Sequence, residues 1–219
     1  GCLVGSEMCI RDRNNTTQNN LKKLSHDNFI VGSRYGDLDI GDRGYGRLIE
    51  PIDLKNNIEK TLGKVIVTSG PTIEAIDDVK VITNKSSGKQ GRAIAIELSA
   101  RGYETIYIHS SQILPIPGIQ NVAFTSSSEL LTKINENIDN CEYLFMTAAV
   151  SDFTTEKENG KISRDLGNIK LNLIPNIDLV KTIKDTNEDI VTVAFSAQVN
   201  DDLNFEKIKD KNCDYLVIN

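Results

Sequence analysis

Residues 68–91 read TSGPTIEAIDDVKVITNKSSGKQG, and they are the most informative segment of the chain about its fold. A β-branched run at residues 65–67 stands before it, and a largely apolar run at 93–98 follows it. This order predicts a strand, a long polar loop and a helix. The end of the loop, SSGKQG, can direct several backbone N–H groups and a helix N-terminus at an anion. Because a polar loop of this length is uncommon between a strand and its helix, it predicts a site for a phosphorylated ligand.

Two nucleotide-binding fingerprints are missing from this loop. It does not match GxGxxG, so the dinucleotide fingerprint is absent, and it does not match GxxxxGK[ST], which excludes a P-loop. An ordinary connection rich in turn residues is the alternative interpretation. Within the loop, the Asn84 amide can both donate and accept hydrogen bonds. It either holds an acyl or phosphate oxygen or caps a turn, and the sequence leaves this open.

Strand and helix patterns alternate from residue 64 onward. The strand patterns lie at 64–68, 105–109, 122–125, 143–147, 190–194 and 215–218, and the helical patterns at 89–101, 127–137, 177–185 and 202–211. Gly102 stands where a glycine C-cap ends the first helix, and Ser127 to Glu129 offer an N-cap and an early acid to the second. The alternation predicts an α/β fold, a Rossmann-like three-layer domain with a mostly parallel sheet.

The chain divides into three predicted parts. Residues 1–13 have no regular period and no initiator Met, and we interpret them as a non-native segment. Residues 14–62 contain a helical start at 15–23, a glycine-rich loop at 36–46 and a helical pattern at 54–62 with Asp53 as its N-cap. This part is too short and polar for its own core, so we interpret it as the tail of a neighbouring domain and a linker. Residues 63–219 form the main domain.

Composition argues against several classes of partner. The net charge is −6, which disfavours nucleic acid and anionic membranes. No apolar run approaches the roughly 18 residues of a membrane span, and no secretory pattern is present, so the cytosol is the expected location. The four cysteines include no CxxC pair, and His26 and His109 have no companion motif. The sequence therefore predicts no zinc site and identifies no metal ligand, and it predicts that Cys141 and Cys213 are small buried apolar residues.

Three further segments carry candidate binding groups. Residues 147–153 read TAAVSDF directly after a strand, where small residues let a ligand approach the backbone and Asp152 can bind a sugar hydroxyl, a base amine or a metal. Residues 157–164 stand in a long polar connection before a strand-like run at 169–173 and can form a mobile flap, on which Lys161 can neutralise developing charge. Lys207 and Lys211 share one helix face and suit a polyphosphate. Solvated surface positions are the alternative for each of these charged side chains.

Together these segments resemble the phosphopantothenoylcysteine synthetase family, also called phosphopantothenate–cysteine ligases. The resemblance covers about residues 64–219. The family pattern TxGxTxExIDxVRxIxNxSSGxxG matches residues 68–91, with Lys80 in place of the usual Arg, a change that keeps the charge and loses bidentate geometry. The AAVxD motif matches 148–152, the KIKK-like flap matches 161–164, and PDIL matches 177–180 with Ile177 in place of Pro. Looser matches are GFAAET at 194–199 and DxIVAN at 214–219.

The segment before the main domain carries a second resemblance. Residues 15–21 and 36–47 are similar to the tail of the flavin-dependent phosphopantothenoylcysteine decarboxylase that precedes the synthetase in bifunctional bacterial proteins. The decarboxylase cysteine would fall at Ile40, so decarboxylation is not expected, and FMN would belong only to the missing decarboxylase domain. We interpret the chain as the incomplete middle of a two-domain enzyme, with a C-terminally incomplete synthetase domain.

The resemblance implies a reaction of coenzyme A biosynthesis and a set of site residues. The carboxylate of 4′-phosphopantothenate would attack CTP to form an acyl-cytidylate, and L-cysteine would then displace CMP. Mg²⁺ would accompany CTP, and the family arrangement implies a homodimer through the synthetase domain. Asn84 and Lys161 are the implied catalytic residues. The implied substrate-binding residues are Asn84, Ser86, Ser87, Gly88, Ala148 and Ala149. The implied nucleotide-binding residues are Thr147, Ala148, Asp152, Lys161, Ile177, Asp178, Leu179, Val180, Phe195, Lys207 and Lys211.

Two other functions compete with the ligase. An NAD(P)-type oxidoreductase would carry a glycine fingerprint and an acid after the second strand, where this chain has His109, Ser110 and Ser111. A non-catalytic phosphate- or nucleotide-binding homologue would keep the loop and lose Asn84 or Lys161. Both residues are present, which favours catalysis.

Overall fold

A computed structural model of the chain describes residues 14–25, 34–37, 43–47, 49–59, 62–196 and 212–218. The helices are α1 Asn15–Leu24, α2 Pro51–Glu59, α3 Lys89–Ala100, α4 Ser127–Asn137 and α5 Leu179–Thr186, and Arg164–Leu166 form a 3₁₀ turn. The strands are β1 Arg34–Asp37, β2 Arg43–Arg47, β3 Lys64–Ser69, β4 Ile73–Ala75, β5 Val81–Thr83, β6 Glu104–Ser110, β7 Gln120–Phe124, β8 Cys141–Met146, β9 Phe153–Thr154, β10 Ile174–Pro175, β11 Val191–Ser196 and β12 Tyr215–Ile218. Among the described helices, none is long and apolar enough to cross a membrane.

A six-stranded sheet forms the centre of the domain. Its strand order is β12-β11-β8-β3-β6-β7, and every neighbouring pair is parallel. The chain starts at β3, proceeds outward to β7, and then returns to the other side of β3 with β8. This is the strand order of a Rossmann fold, so the predicted α/β class is confirmed. The order reverses between β3 and β8, which makes the ends of these two strands the expected ligand site.

Helices cover both faces of this sheet because the strands are apolar on both sides. Neighbouring residues of β3 point to opposite faces. Ile66 joins a core cluster with Ile134 of α4 and Ile183 of α5. Val67 joins another cluster with Ala95 of α3 and Tyr107 of β6. The three predicted layers therefore have two separate apolar cores.

The helix ends follow local sequence with one shift. Gly102 has a φ of 99° after α3, and the N–H groups of Gly102 and Tyr103 bond back to Ser99 and Leu98, as in a glycine-ended helix. The N-cap of α4 is Ser126 instead of the predicted Ser127, and its hydroxyl accepts the Glu129 N–H at 3.2 Å. The described cysteines, Cys141 and Cys213, are half-buried instead of fully buried. Burial raises the pKa of the Cys141 thiol.

The segment before the domain differs from its prediction at two places. The predicted loop at 36–46 includes parts of two antiparallel strands, β1 and β2. The predicted helix at 54–62 is α2, which begins three residues earlier, so Asp53 lies in its first turn and is not the N-cap. Pro51 at the first helical position explains this start, since its missing N–H has no helical acceptor there. Both β1 and α2 lie next to α3 of the domain.

Two elements predicted after the flap begin later in the structure than in the prediction, and a third predicted element cannot be compared with it. The strand-like run at 169–173 is not a strand, because pairing occurs later, between Ile174 and Thr154 of β10 and β9. The helix predicted at 177–185 is α5, which begins at Leu179 because the Asp178 side chain caps it by accepting the Lys181 N–H. The helix predicted at 202–211 lies outside the described residues.

The amino group of Lys184 connects the end of α5 to the two outer strands. It donates to the carbonyl oxygens of Glu188 and Ile190 at 2.9 and 2.8 Å and to the Asp214 carboxylate at 2.9 Å. Asp214 also accepts the Thr192 N–H at 2.7 Å. Burial opposes the charge on Asp214, but these donors outweigh it and hold its pKa below its usual value.

We expect Lys184→Met to lower the free energy of unfolding by about 1–2 kcal/mol, because several acceptors lose a charged donor. Equilibrium urea unfolding of both proteins would measure this. Lys181→Met is the matched control, since Lys181 is an exposed lysine on the same helix.

The stabilising charge on Asp214 also makes the effect of Lys184→Met depend on pH. A carboxyl with a lowered folded-state pKa stabilises the fold above its unfolded pKa, about 3.9, and less as pH falls through the folded value. The difference in the free energy of unfolding between wild type and Lys184→Met should therefore become smaller below about pH 4. An equal loss of unfolding free energy in Lys184→Met and Lys181→Met would contradict the role of Lys184.

Helix α3 approaches the ends of the sheet strands most closely at Gly91. A Cβ at this position would lie 2.7 Å from the Thr68 carbonyl oxygen and 2.8 Å from the Ser69 Cβ, and it would also collide with the Thr147 hydroxyl. The backbone oxygen cannot move away cheaply. Only glycine therefore allows α3 to begin at this distance from β3 and β8.

We expect Gly91→Ala to destabilise the protein by about 1–3 kcal/mol through overpacking. Helix propensity alone would predict the opposite sign, a gain of about 1 kcal/mol. Urea unfolding again provides the measurement. Ala93→Gly is the control for propensity, because Ala93 is exposed on the same helix. A more stable Gly91→Ala variant would mean that α3 and the sheet are not in close contact.

Candidate functional site

The loops that follow β3 and β8 are joined into one surface at the point where the strand order reverses. Ala149 donates its N–H to the Gly70 carbonyl at 2.9 Å, and Thr72 donates its N–H to the Ala149 carbonyl at 3.2 Å. The Thr72 hydroxyl accepts the Ser151 N–H at 3.0 Å. These bonds extend the pairing of the two strands beyond the sheet. The backbone of both loops is therefore held in place without a ligand.

Threonine hydroxyls at the ends of β3 and β8 also join the same two loops by hydrogen bonds. The Thr68 hydroxyl accepts the Ala148 N–H at 3.1 Å, and the Thr147 hydroxyl donates to the Thr68 carbonyl. Ser151 is buried and its hydroxyl donates to the Phe153 carbonyl at 2.7 Å. The predicted site residues Thr147 and Ala148 thus have structural contacts of their own.

The N-terminus of α3 lies beside these loops. Its N-cap is Gly88, which adopts a left-handed conformation with φ of 65°, and no side chain caps this end. The Ser69 hydroxyl donates to the Gly88 carbonyl at 2.8 Å and holds the turn against β3. Ser86 is half-buried and Ser87 is exposed. The predicted phosphate loop thus presents backbone N–H groups and a hydroxyl at the carboxyl end of the sheet.

Asn84 lies against the loop after β8. Its side-chain Nδ2 donates to the Val150 carbonyl at 2.9 Å and to the Ala149 carbonyl at 3.4 Å. It therefore does not cap its own turn, which was the alternative interpretation of this residue. The structure brings Asn84 together with Ala149, one of the two predicted alanines, and with Val150, and both of its amide donors are engaged. Its Oδ1 is the atom left to accept a hydrogen bond from a bound molecule.

The segment before α5 meets the loop after β8 through Asn176. Asn176 donates its N–H to the Asp152 carbonyl at 2.8 Å and its side-chain Nδ2 to the Ser151 carbonyl at 2.9 Å. Its Oδ1 accepts the Ile177 N–H at 2.9 Å. Sequence reasoning missed Asn176, because nothing local distinguishes it from any other turn residue. It sets the position of Ile177 relative to Asp152.

The predicted nucleotide-binding residues separate into exposed and structural positions. Asp152 and Ile177 are exposed. The backbone hydrogen bond from Asn176 to Asp152 brings their two segments together. Asp178 caps α5, and Leu179 is only 2% exposed in the core, so its side chain faces away from any ligand. Val180 packs against the same core.

Three nucleotide-binding predictions lie farther along the chain. Phe195 is half-buried near the end of β11, where it pairs with Val217 of β12. Lys207 and Lys211 lie outside the described residues. Their predicted contacts with the nucleotide therefore stay predictions.

Lys161 stands on an exposed connection between β9 and β10, and its side chain has no hydrogen-bond partner among the described residues. The neighbouring residue Ile162 is tied to the turn between β4 and β5 by Asp77 and Lys80. The Lys80 ammonium and surrounding N–H groups hold the pKa of the Asp77 carboxyl well below its usual range. Asp77 is a second residue whose role the sequence did not predict.

The chemistry available at this site is charge stabilisation and hydrogen bonding. It offers loop backbone groups and the amide of Asn84. That the ammonium of Lys161 reaches this site stays a prediction. Among the residues described, no group of three or more His, Cys, Asp or Glu side chains could hold a metal ion. The arrangement suits an anionic ligand bound along the loops that follow β3 and β8, with its reacting groups at the carboxyl ends of these two strands.

Comparison with known proteins identifies relatives across nearly the whole chain. The family described as DNA/pantothenate metabolism flavoprotein C-terminal domain matches residues 61–219. The coenzyme A biosynthesis bifunctional protein CoaBC of Vibrio cholerae is 31% identical over 222 aligned residues, which cover 94% of this chain and 56% of that protein. A cysteine/cysteine sulfinic acid decarboxylase from an unknown prokaryotic organism is 32% identical, covering 93% of this chain and 62% of its own length. The chain thus spans little more than half the length of these curated relatives.

A solved structure agrees with the sequence relatives. The crystal structure of the DNA/pantothenate metabolism flavoprotein from Streptococcus pneumoniae superposes with a TM-score of 0.64 at 26% identity, covering 72% of this chain and 82% of that one. The family resemblance predicted from the motifs is confirmed by these matches. The chain therefore belongs to the family of the DNA/pantothenate metabolism flavoprotein C-terminal domain.

Proposed function

We propose that this chain is a phosphopantothenate–cysteine ligase of coenzyme A biosynthesis, which uses CTP to join 4′-phosphopantothenate to L-cysteine. The observation that carries the proposal is the position of Asn84, whose amide is bonded to the Ala149 and Val150 carbonyls beside the open N-terminus of α3. A phosphate bound at that helix end would place an attached acyl chain along Asn84. The name of the Vibrio cholerae relative, a coenzyme A biosynthesis protein, supports the same pathway.

The reaction needs activation because a carboxylate is a poor acyl donor. In the first step, a carboxylate oxygen of 4′-phosphopantothenate attacks the α-phosphorus of CTP, and the bond to the leaving pyrophosphate breaks. The product is an acyl-cytidylate. In the second step, the amine of cysteine attacks the acyl carbon, CMP leaves with the bonding electrons, and the amine loses a proton. Both steps develop negative charge on phosphate oxygens, which fixed cations and N–H groups stabilise.

The proposed substrate site lies along the phosphate loop. Ser86, Ser87, Gly88 and the first turn of α3 bind a phosphate, since they combine hydroxyls with backbone N–H groups. Asn84 accepts a hydrogen bond from the acyl intermediate through its Oδ1, and the backbone of Ala148 and Ala149 lies alongside. No charged side chain is needed to hold the acyl group.

The proposed nucleotide site lies on the other side of the loop after β8. Asp152 and the backbone of residues 177–180 border the nucleotide, and Phe195 provides an apolar wall. Lys161 stabilises charge on its phosphates, and Lys207 and Lys211 contact the triphosphate. Mg²⁺ enters with CTP as its counterion, and no protein side chain is assigned to it.

The wider setting of the enzyme is part of the same proposal. We infer a homodimer in the cytosol, with no nucleic-acid or membrane partner. Decarboxylation is not proposed for this chain, although one relative is named a decarboxylase, because Ile40 stands where the resemblance places the decarboxylase cysteine. FMN would therefore serve only a separate decarboxylase domain.

Pyrophosphate release tests the proposed reaction directly. We expect the purified protein to release pyrophosphate with Mg²⁺, 4′-phosphopantothenate and CTP, because the acyl-nucleotide forms before cysteine enters. With ATP in place of CTP, we expect much less release. Leaving cysteine out should preserve a single turnover and stop steady-state release. Release that does not require the pantothenate compound would indicate a nucleotide hydrolase. Binding of CTP without release, in protein shown to be folded, would indicate a non-catalytic binding protein.

We expect Lys161→Ala to keep CTP binding within about tenfold of wild type and to abolish turnover, since it removes charge stabilisation worth a few kcal/mol. Isothermal titration and the pyrophosphate assay measure the two effects. Lys170→Ala is the matched control, an exposed lysine on the same connection. Unchanged turnover in Lys161→Ala would remove this lysine from the mechanism.

A further inference from the structure

The turn between β4 and β5 holds the segment that carries Lys161. Residues 158, 160 and 162 all direct their N–H groups at this turn. Glu158 donates to the Ile76 carbonyl at 2.8 Å, Gly160 to the Asp78 carboxylate at 3.0 Å, and Ile162 to the Asp77 carboxylate at 2.9 Å. The Asp78 N–H returns a bond to the Gly160 carbonyl at 3.3 Å. Lys161 is therefore fastened through the residues on both sides of it.

The contacts on the two sides differ in burial. Asp78 is exposed, and its ion pair with Lys157 at 2.7 Å joins two side chains that are each about half exposed. Such pairs contribute little to stability. Asp77 is only 2% exposed. The strong end of the attachment is therefore the one at Ile162.

Within the part of the chain that the structure describes, the buried Asp77 carboxylate forms hydrogen bonds only with its own turn and with Ile162. It accepts the N–H groups of Val79 and Lys80 at 2.7 and 2.6 Å and the Lys80 ammonium at 2.7 Å. The same ammonium donates to the Ile162 carbonyl at 3.1 Å. Both polar groups of the Ile162 backbone are thus bound by one ion pair, in which the Asp77 side chain is buried and the Lys80 side chain is partly exposed. Because a buried charge is costly when a partner is lost, this arrangement resists opening.

The hairpin that carries this turn is itself fixed to the body of the domain. The buried Glu74 carboxylate accepts the Ser127 N–H at the start of α4 at 3.0 Å, and the Ile73 N–H donates to the Thr125 carbonyl at 2.8 Å. At its other end, β5 leads directly into Asn84. The four residue-to-residue steps from Lys80 to Asn84 span about 13 Å in extended chain. The hairpin therefore sets the separation between Asn84 and the attachment of Lys161.

We propose that Asp77, acting with Lys80, is a positioning residue that holds Lys161 at a fixed place relative to Asn84, and that ligation depends on this placement. The inference rests on the proposed function, because it assigns Lys161 to the nucleotide phosphates. Asp77 itself touches no substrate. It acts through Ile162 and the rigid hairpin.

The test compares Asp77→Asn and Lys80→Met with wild type in the full chain. We expect kcat to fall about 10–100-fold in both, with KM for CTP and 4′-phosphopantothenate within about threefold, because a misplaced group impairs the reaction more than binding. Trypsin should cut after Lys157, Lys161 or Arg164 about tenfold faster than in wild type. Asp165→Asn is the control, the same substitution at an exposed carboxylate of the same segment, and it should change neither quantity.

Two conservative variants separate positioning from general damage. Lys80→Arg keeps a cation that can reach both Asp77 and the Ile162 carbonyl, so kcat and trypsin cleavage should stay within about threefold of wild type. Asp78→Asn removes the exposed ion pair with Lys157 and keeps the pair of Asp77 with Lys80, so it should accelerate cleavage by less than Asp77→Asn. These variants test the inference even where Asp77→Asn or Lys80→Met does not fold.

Two results would overturn the inference. One is an unchanged rate of cleavage in Asp77→Asn, since the segment would then be held by other contacts. The other is faster cleavage with unchanged kcat, since the position of Lys161 would then not matter for turnover. A wild-type protein that releases no pyrophosphate would refute the proposed ligase function instead. In that case the trypsin comparison still decides whether Asp77 holds the segment.

Discussion

Backbone hydrogen bonds between the loops after β3 and β8 are the constraint on which the rest of the site depends. Gly70, Thr72 and Ala149 continue the pairing of two central strands past the end of the sheet. This places one rigid platform where the strand order reverses, and both proposed half-sites border it. Asn84, at the start of the predicted phosphate loop, bonds to Ala149 and Val150, and Asn176 before α5 bonds to Ser151 and Asp152. The proposed substrate and nucleotide sites would therefore share a border of small residues.

Small and polar residues at this platform have structural reasons of their own. Gly91 lets α3 begin against the strand ends, because any side chain would strike the Thr68 carbonyl. Thr68 and Thr147 use their hydroxyls to tie β3 to the loop after β8. The same features leave backbone groups accessible to a ligand. Packing and binding thus require the same residue types at the same positions.

The hairpin of β4 and β5 gives the site a second rigid part. It turns a long polar loop, which by composition alone would be mobile, into a paired element fixed at α4 by Glu74. Its turn holds the Lys161 segment through the buried Asp77 and its partner Lys80, and its last strand leads into Asn84. The length of an otherwise unusual loop is explained by this element. A shorter connection could not join both parts of the site.

Local patterns were sufficient for the fold but not for all its boundaries. Alternating strand and helix patterns predicted the parallel sheet, and Gly102 correctly marked the end of α3. The start of α2 was predicted three residues late because Pro51 was not recognised as its first residue. The run at 169–173 was predicted as a strand because it alternates apolar and polar residues, yet the pairing partner of this region, β9, contacts only Ile174 and Pro175. Strand pairing depends on a partner distant in sequence, which local propensity does not contain.

Local sequence was enough to predict the α/β class and the family, because these depend on periodicity, glycine placement and motifs read along one segment. Phosphate binding by the loop stays a prediction. Local sequence also marked Asn84 and Lys161 as candidates. The folded structure was needed to show that Asn84 bonds to the loop after β8, that Leu179 belongs to the core, and that Asp77 and Asn176 hold the neighbouring segments. Each of these contacts joins residues from different elements. Their energies arise from burial and geometry that exist only once the chain has folded.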